Sequence, residues 1–167
     1  MKNILVTGAG KGIGFQCVKT LSFSNNKIFA LIRSKKDLKK FKNLKNVKVF
    51  IGNVNSTRSI NKIFKFTLKK KIIIDGLVNN AGVRQRKDFL KLTRNNIESV
   101  FETNFFSIFN LMQIFAKNLI KSKKPGSIVN IGSIVGPIGF HQLSGYASSK
   151  MALIGLTKSF AAEMAKN

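Results

Sequence analysis

Residues Ile4-Leu5-Val6-Thr7-Gly8-Ala9-Gly10-Lys11-Gly12-Ile13-Gly14 carry an apolar run straight into a glycine-rich loop. The run has the length of a buried strand, and Ile13, Val18 and Leu21 follow at helical spacing up to Phe23. The alternation then repeats. Lys27–Ile32 and Val47–Ile51 read as strands, with a short helix over Asp37–Leu44 between them. Ser56 is a candidate N-cap for a helix with Ile60, Ile63, Phe64 and Leu68 on one face. A fourth strand falls within Ile72–Asn79, followed by a long helix over Asn95–Lys121. Ile97, Phe101, Phe105, Ile108, Leu111, Met112 and Phe115 keep its 3.6-residue period until Pro125-Gly126 breaks it. Ser127–Ile131 is a fifth strand and Tyr146–Ala165 the last helix. Short strands alternating with helices predict an α/β domain with a parallel sheet covered on both faces. Ligands of such sheets bind at the carboxyl ends of the strands, so the chemistry belongs in the loops that follow them.

Composition narrows the class. A chain of 167 residues fits one domain and can bury about 70% of its unfolded surface. One cysteine, Cys17, excludes an internal disulfide and a cysteine-rich metal site, so no metal is expected. No stretch approaches 18 unbroken apolar residues, which argues against a membrane span, and the run at Ile4–Val6 is too short for a signal-peptide core. A cytoplasmic domain is the expectation. The net charge of +24 admits three readings: codon composition, a preference for acidic small ligands or carriers, and nucleic-acid binding. Lys, Asn, Ile and Phe, which A/T-rich codons favour, supply 76 residues, and the lysines are scattered. Five Arg and one Tyr argue against a nucleic-acid surface.

The first loop is no Walker A loop, because no Gly-Lys-Ser/Thr ends it, and it misses the G-x-G-x-x-G spacing. It fits G-x-x-x-G-x-G at Gly8, Gly12 and Gly14, with Gly10 between. Glycine allows a tight turn and close approach of backbone to a pyrophosphate at a helix N-terminus. On its own such a loop is either a cofactor cradle or a plain turn. About 20 residues on, a dinucleotide site places an acid for the ribose of NAD or a base for the 2′-phosphate of NADP. Strand two ends in Ile32-Arg33-Ser34, with no acid before Asp37, and Lys11 sits in the loop itself. Two cations and no carboxylate favour NADPH over NADH.

Asn79-Asn80-Ala81-Gly82 follows strand four, and Ser133 closes strand five. Tyr146 and Lys150 stand four residues apart, so on a helix they share a face. A tyrosine is a weak acid at neutral pH, and a nearby ammonium favours its phenolate. Such a phenol can protonate an alkoxide as hydride reaches a carbonyl carbon. A Tyr with an incidental Lys on a helix surface is the alternative for the pair alone.

In this order, Thr7-Gly8-x-x-x-Gly12-x-Gly14, Asn79-Asn80-Ala81-Gly82, Asn104, Ser133 and Tyr146-x-x-x-Lys150, the chain resembles the short-chain dehydrogenase/reductase family over its whole length. The resemblance implies a Rossmann-like doubly wound sheet of order 3-2-1-4-5 in a three-layer αβα arrangement, one NAD(P)-binding domain over residues 1–167. Tyr146 would be the general acid, Ser133 would orient the substrate, and Lys150 would also bind the nicotinamide ribose. Asn104 would bend the long helix and position a water in a proton relay through Lys150. Gly8, Gly10, Lys11, Gly12, Ile13, Gly14 and Arg33 would hold the pyrophosphate and adenosine side. Asn80, Ala81 and Gly82 would line the cofactor, with Asn53 and Val54 at the adenine; many members carry Asp at the position of Asn53.

Gly52-Asn53-Val54, Phe101-Glu102-Thr103-Asn104, Ile131-Gly132-Ser133-Ile134-Val135-Gly136 and Ala152-Leu153-Ile154-Gly155 look like the 3-oxoacyl-(acyl carrier protein) reductases of fatty-acid synthesis. That implies a 3-oxoacyl thioester on an acidic carrier, steered by lysines such as Lys117, Lys121 and Lys158. Related alcohol, sugar and steroid reductases share most of the motifs. His141 reads as an uninvolved loop residue. Members of the family continue with a sixth strand, a Pro-Gly loop at the nicotinamide, substrate-covering helices and a seventh strand, and they form homo-oligomers. The chain ends at Asn167 before any of these, an expected C-terminal truncation that leaves a sheet edge open. The expectation is therefore an NADPH-dependent carbonyl reductase; the alternative is a catalytically silent nucleotide-binding or interaction module.

Overall fold

The computed structural model describes residues Met1–Lys166. Five strands, β1 (Asn3–Thr7), β2 (Lys27–Ile32), β3 (Val47–Ile51), β4 (Gly76–Asn79) and β5 (Ser127–Asn130), form one sheet of order β3-β2-β1-β4-β5. β1 pairs in parallel with β2 and β4, and β2 with β3. This is the expected doubly wound order. The direction of winding reverses between β1 and β4, so their carboxyl ends flank the switch point where such sheets take ligands. β1 and β2 are buried over nearly their whole length, as parallel strands covered by helices must be.

The described residues divide into two compact units. The first comprises Met1–Ala81 and Leu111–Val129 and holds the sheet. Its helix α1 (Gly12–Phe23) buries Val18 but leaves Ile13 61% exposed, so Ile13 is not the core position its spacing suggested. Helix α2 (Thr57–Lys69) starts at Ser56, whose hydroxyl accepts from the Ser59 amide at 3.3 Å. It buries Ile60, Ile63, Phe64 and Thr67, while Leu68 is exposed. Phe66 of this helix meets Phe50 of β3 edge-on, with ring centres 5.4 Å apart. Between β2 and β3 the chain forms a 3-10 turn (Lys35–Phe41) capped by Ser34, earlier and tighter than the predicted helix.

β4 is shorter than the apolar run that announces it. α2 ends with Lys71 in the left-handed region (φ 54°), the Lys71 amide on Leu68 O and the Ile72 amide on Thr67 O. That helix stop uses the amides of the residues that would have begun the strand. Ile74 is still buried.

The second unit comprises Gly82–Asn110 and the chain from Asn130 on. The long helix predicted over Asn95–Lys121 is three pieces: α3 (Arg94–Phe101), a π-turn (Glu102–Phe106) and α4 (Ser107–Ser122). A short α5 (Val135–Ile138) precedes α6 (Ser144–Met164). Among the described residues no helix is long and apolar enough to cross a membrane, and no cluster of potential ligands could hold a metal ion.

Asp75 pins the entry side of the sheet. Its amide donates to Asn3 O at 3.0 Å, its carboxylate accepts from the Asn3 amide at 2.8 Å, and its carbonyl accepts from Ser127 N at 3.0 Å. Asp75→Ala should lower unfolding free energy by about 1–3 kcal/mol, because the Asn3 amide loses its acceptor. Urea unfolding with an unchanged m value is the check. A midpoint like that of the parent would show that water replaces the carboxylate.

Candidate active site

The glycine loop belongs to the first unit. Gly8 has φ +62°, and a Cβ there would lie 2.8 Å from Ala81 Cα and 2.9 Å from Asn80 Nδ2. A side chain on Gly14 would strike the Asn80 amide and Gly8 O. These two glycines are fixed by packing against the strand-four loop. Gly12 differs: φ is +55°, yet nothing lies within 4 Å of its missing side chain. It leaves an open approach to the first turn of α1. That turn has no side-chain cap and no acidic residue, because Lys11 at the N-cap supplies no oxygen. Unsatisfied amides with open space before them form the cradle a pyrophosphate requires. The residues present fit a dinucleotide.

Thr7 and Asn80 hold this loop in shape. The Thr7 hydroxyl accepts from the amides of Asn80 and Ala81, both at 3.1 Å, and the Asn80 side chain donates to Thr7 O and Gly8 O at 3.1 Å. Asn80, expected to line the cofactor, has its amide nitrogen committed to the loop carbonyls. Arg33 is the first residue beyond β2 and is exposed, as is Lys11. Asn53 is exposed, with its side-chain oxygen accepting from the Asn55 amide at 3.1 Å, and Val54 is half-buried beside it. Sequence spacing gives no hint of Lys40, whose ammonium donates to Gly10 O (2.7 Å) and pairs with Asp37 (2.6 Å). A side chain on Gly10 would meet the Asp37 carboxylate at 2.5 Å.

Asn104, Ser133, Tyr146 and Lys150 all belong to the second unit, as does Gly82. Asn104 is fully buried in the π-turn. Its side-chain oxygen accepts from Val83 N (2.9 Å), and its nitrogen donates to Val83 O (2.9 Å) and Ser149 Oγ (3.0 Å). The Ser149 hydroxyl in turn donates to Tyr146 O at 2.7 Å. Asn104 therefore reaches the Tyr146 helix through a serine that carries no motif signal.

Lys150 is 4% exposed, and its ammonium donates to Ile131 O at 2.7 Å. Burial pushes its pKa below the ordinary lysine value, because desolvation disfavours the charged form. The same ammonium lies 6.0 Å from the centre of the Tyr146 ring, as the four-residue spacing requires. Ser133 Oγ accepts from the Val135 amide at 3.2 Å, which leaves its proton to donate elsewhere. His141 is an exposed loop residue.

Known proteins resemble the chain over nearly its whole length. The family described as short chain dehydrogenase matches residues 2–167. Carbonyl reductase (NADPH) 2 of Sus scrofa is 36% identical over 165 residues, an alignment covering 96% of this chain and 64% of that protein. The 3-oxoacyl-(acyl-carrier-protein) reductase FabG of Vibrio cholerae is 32% identical over 166 residues, covering 98% and 68%. The chain thus spans about two thirds of the relatives it matches. Among solved structures, 4-hydroxyisoleucine dehydrogenase complexed with NADH superposes with a TM-score of 0.91 at 32% identity, covering 99% of this chain and 69% of that one. An actinorhodin polyketide ketoreductase variant with NADPH gives 0.91 at 28% identity, covering 98% and 65%. With that sheet order and that match over nearly its whole length, the chain belongs to the short-chain dehydrogenase family of oxidoreductases.

Proposed function

We propose that this chain carries the catalytic machinery of an NADPH-dependent carbonyl reductase, acting on a 3-oxoacyl thioester borne by an acyl carrier protein. The observation that carries the reading is the buried Lys150 ammonium, held by Ile131 O on the helix face it shares with Tyr146. A binding module has no need to bury a lysine beside a phenol. Bound NADPH would supply the hydride. The first turn of α1 and Gly12 would hold its pyrophosphate, and Arg33 with Lys11 its 2′-phosphate. The Asp37 carboxylate, paired with Lys40, is kept from repelling that phosphate.

At the carbonyl, Tyr146 Oη donates the proton that the developing alkoxide takes up, and the Ser133 hydroxyl donates a hydrogen bond to the same oxygen. The Lys150 ammonium has two N–H groups beyond the one on Ile131 O, available for ribose hydroxyls and for the Tyr146 side. Asn104 keeps Val83 and Ser149 in register around them. The carrier-bound substrate is supported by the likeness to 3-oxoacyl-(acyl-carrier-protein) reductases and by a net charge of +24, which would speed encounter with an acidic carrier. Residues 1–167 would then act as one dinucleotide-binding domain.

Tyr146→Phe should reduce NADPH-dependent turnover of a 3-oxoacyl thioester by roughly 100- to 10,000-fold, the worth of a positioned general acid, with NADPH binding retained. Turnover within a few-fold of the parent would remove Tyr146 from the proton path. A parent that binds NADPH but reduces no carbonyl would favour a nucleotide-binding module.

Arg33→Ala should weaken NADPH by roughly 10- to 100-fold, the loss of one charge-assisted contact, and leave NADH nearly unchanged. Equal losses for both dinucleotides would show that Arg33 does not read the 2′-phosphate.

Lys150 also makes stability pH-dependent. Its folded pKa lies below the unfolded one, so between the two values the unfolded chain binds more protons and stability rises with pH. Relative to Lys150→Met, the parent should therefore gain stability as pH rises from neutrality toward the ordinary lysine range. Paired urea titrations read the difference; a constant offset would mean that the ammonium is not desolvated.

A further inference from the structure

The helix that carries Tyr146 and Lys150 begins without a cap of its own. Leu143 occupies the N-cap position of α6 and offers no side-chain oxygen, although its carbonyl already accepts from Ala147 N at 2.7 Å. The amide one residue before Tyr146, that of Gly145, is the donor an N-cap side chain would normally satisfy. It donates instead to Gln85 Oε1 at 3.1 Å, across sixty residues of sequence. A Cβ on Gly145 would lie 3.0 Å from that oxygen and 2.7 Å from Ile97 Cδ1, so the absence of a side chain admits the contact.

The other end of the Gln85 amide is also engaged. Its nitrogen donates to Gln142 O at 3.0 Å and to Lys87 O at 3.3 Å. Gln142 stands just before the N-cap with φ +62°, a backbone state that costs a non-glycine residue of the order of 1 kcal/mol or more. The segment Gln85–Asp88 holds it there. The Lys87 amide donates to Gln142 O (3.0 Å), Arg86 Nε to Gln142 Oε1 (3.1 Å), and Gln142 Nε2 to the Asp88 carboxylate (2.6 Å). Lys87 Nζ reaches Asn96 Oδ1 at 3.1 Å, in the capping box of α3. One short segment therefore fixes the entry turn of α6 and is itself anchored to a second helix start.

We propose that Gln85 is a positioning residue for catalysis: it caps the Tyr146 helix from outside through the Gly145 amide and so sets where the phenol stands. This goes beyond the reductase reading and rests on it only for its kinetic consequence. Gln85→Leu removes both the acceptor and the donor. Gln85→Glu gives up the donor to Gln142 O, which the Lys87 amide still holds, but keeps the acceptor for the Gly145 amide and adds a negative charge at a helix N-terminus, where it is favourable.

Three readouts on the full chain decide it. Amide hydrogen exchange should accelerate at Gly145 by about fivefold in Gln85→Leu and stay within twofold of the parent in Gln85→Glu. Tyr146 is the only tyrosine and there is no tryptophan, so tyrosine emission reports this ring alone; it should change in the Leu variant and return in the Glu variant. In carbonyl reduction, kcat should fall about tenfold in Gln85→Leu with KM for NADPH unchanged, and recover in Gln85→Glu. Unchanged exchange at Gly145 would overturn the cap. Faster exchange with parental emission would overturn positioning and leave a structural contact. If the parent reduces no carbonyl, the reductase reading fails, while exchange and emission still decide the role of Gln85.

Discussion

Where a parallel strand stops, the next backbone amides and carbonyls lose their ladder partners, and in a buried sheet they must find others. That constraint organises the functional ends of this chain. Beyond β1 and β4, the Thr7 hydroxyl takes the amides of Asn80 and Ala81, and the Asn80 amide takes the carbonyls of Thr7 and Gly8. Further along the same exit, Val83 pairs with the Asn104 side chain through both its amide and its carbonyl, as it would with a neighbouring strand. Beyond β5, Ile131 O finds the Lys150 ammonium. Each of these side chains was a candidate from the sequence, and each completes backbone hydrogen bonding that the sheet leaves unfinished. On the proposed function, structural and chemical demands fall on the same residues. Replacing any of them leaves a backbone group without its side-chain partner.

The π-turn shows how such a demand reshapes a helix. In a continuous α-helix, apolar residues at the spacing of Phe101 and Phe105 would line the buried stripe. Here those two rings are only half-buried, and Val100, Asn104 and Ile108 are enclosed instead. The Ser107 amide reaches back five residues to Glu102 O, the one-residue excess of a π-turn. The excess rotates the stripe and lets a polar residue face inward, where Val83 and Ser149 satisfy it. Leu111, Met112 and Phe115 then resume the apolar stripe.

Most of the fold was legible in the sequence because apolar period and glycine placement act locally. The strands and the capping Ser56 fall where the pattern puts them, the strand order is the one the family resemblance implied, and Tyr146 and Lys150 share a face as their spacing requires. What escaped has physical reasons. Leu68 has the right period, but Thr67 takes the buried place beside it and donates to Phe64 O, so hydrophobicity did not rank the two positions. The head of β4 was lost to a helix stop made by a lysine in a left-handed conformation, where glycine would have signalled it. Lys40 looked like one of many lysines, yet it joins Asp37 to Gly10. Gln85 and Gln142 belong to no motif, and contacts between residues 57 apart leave no periodic trace.

Composition and site pull in different directions over charge. With 30 basic residues against 6 acidic, a lysine ammonium is the commonest group this chain can offer. Exposed lysines cost little and signify little, because solvent screens them. Lys150 is the exception: enclosed by the fold, it has, among the described residues, a carbonyl acceptor and the neighbouring ring but no carboxylate partner. An ammonium in that position opposes folding, since desolvation is only partly offset by one neutral acceptor. A charge held where the fold would be more stable without it is a pattern common at functional sites, and that is the ground on which the proposed role of Lys150 rests. Among so many lysines, the informative one is the one that the fold encloses.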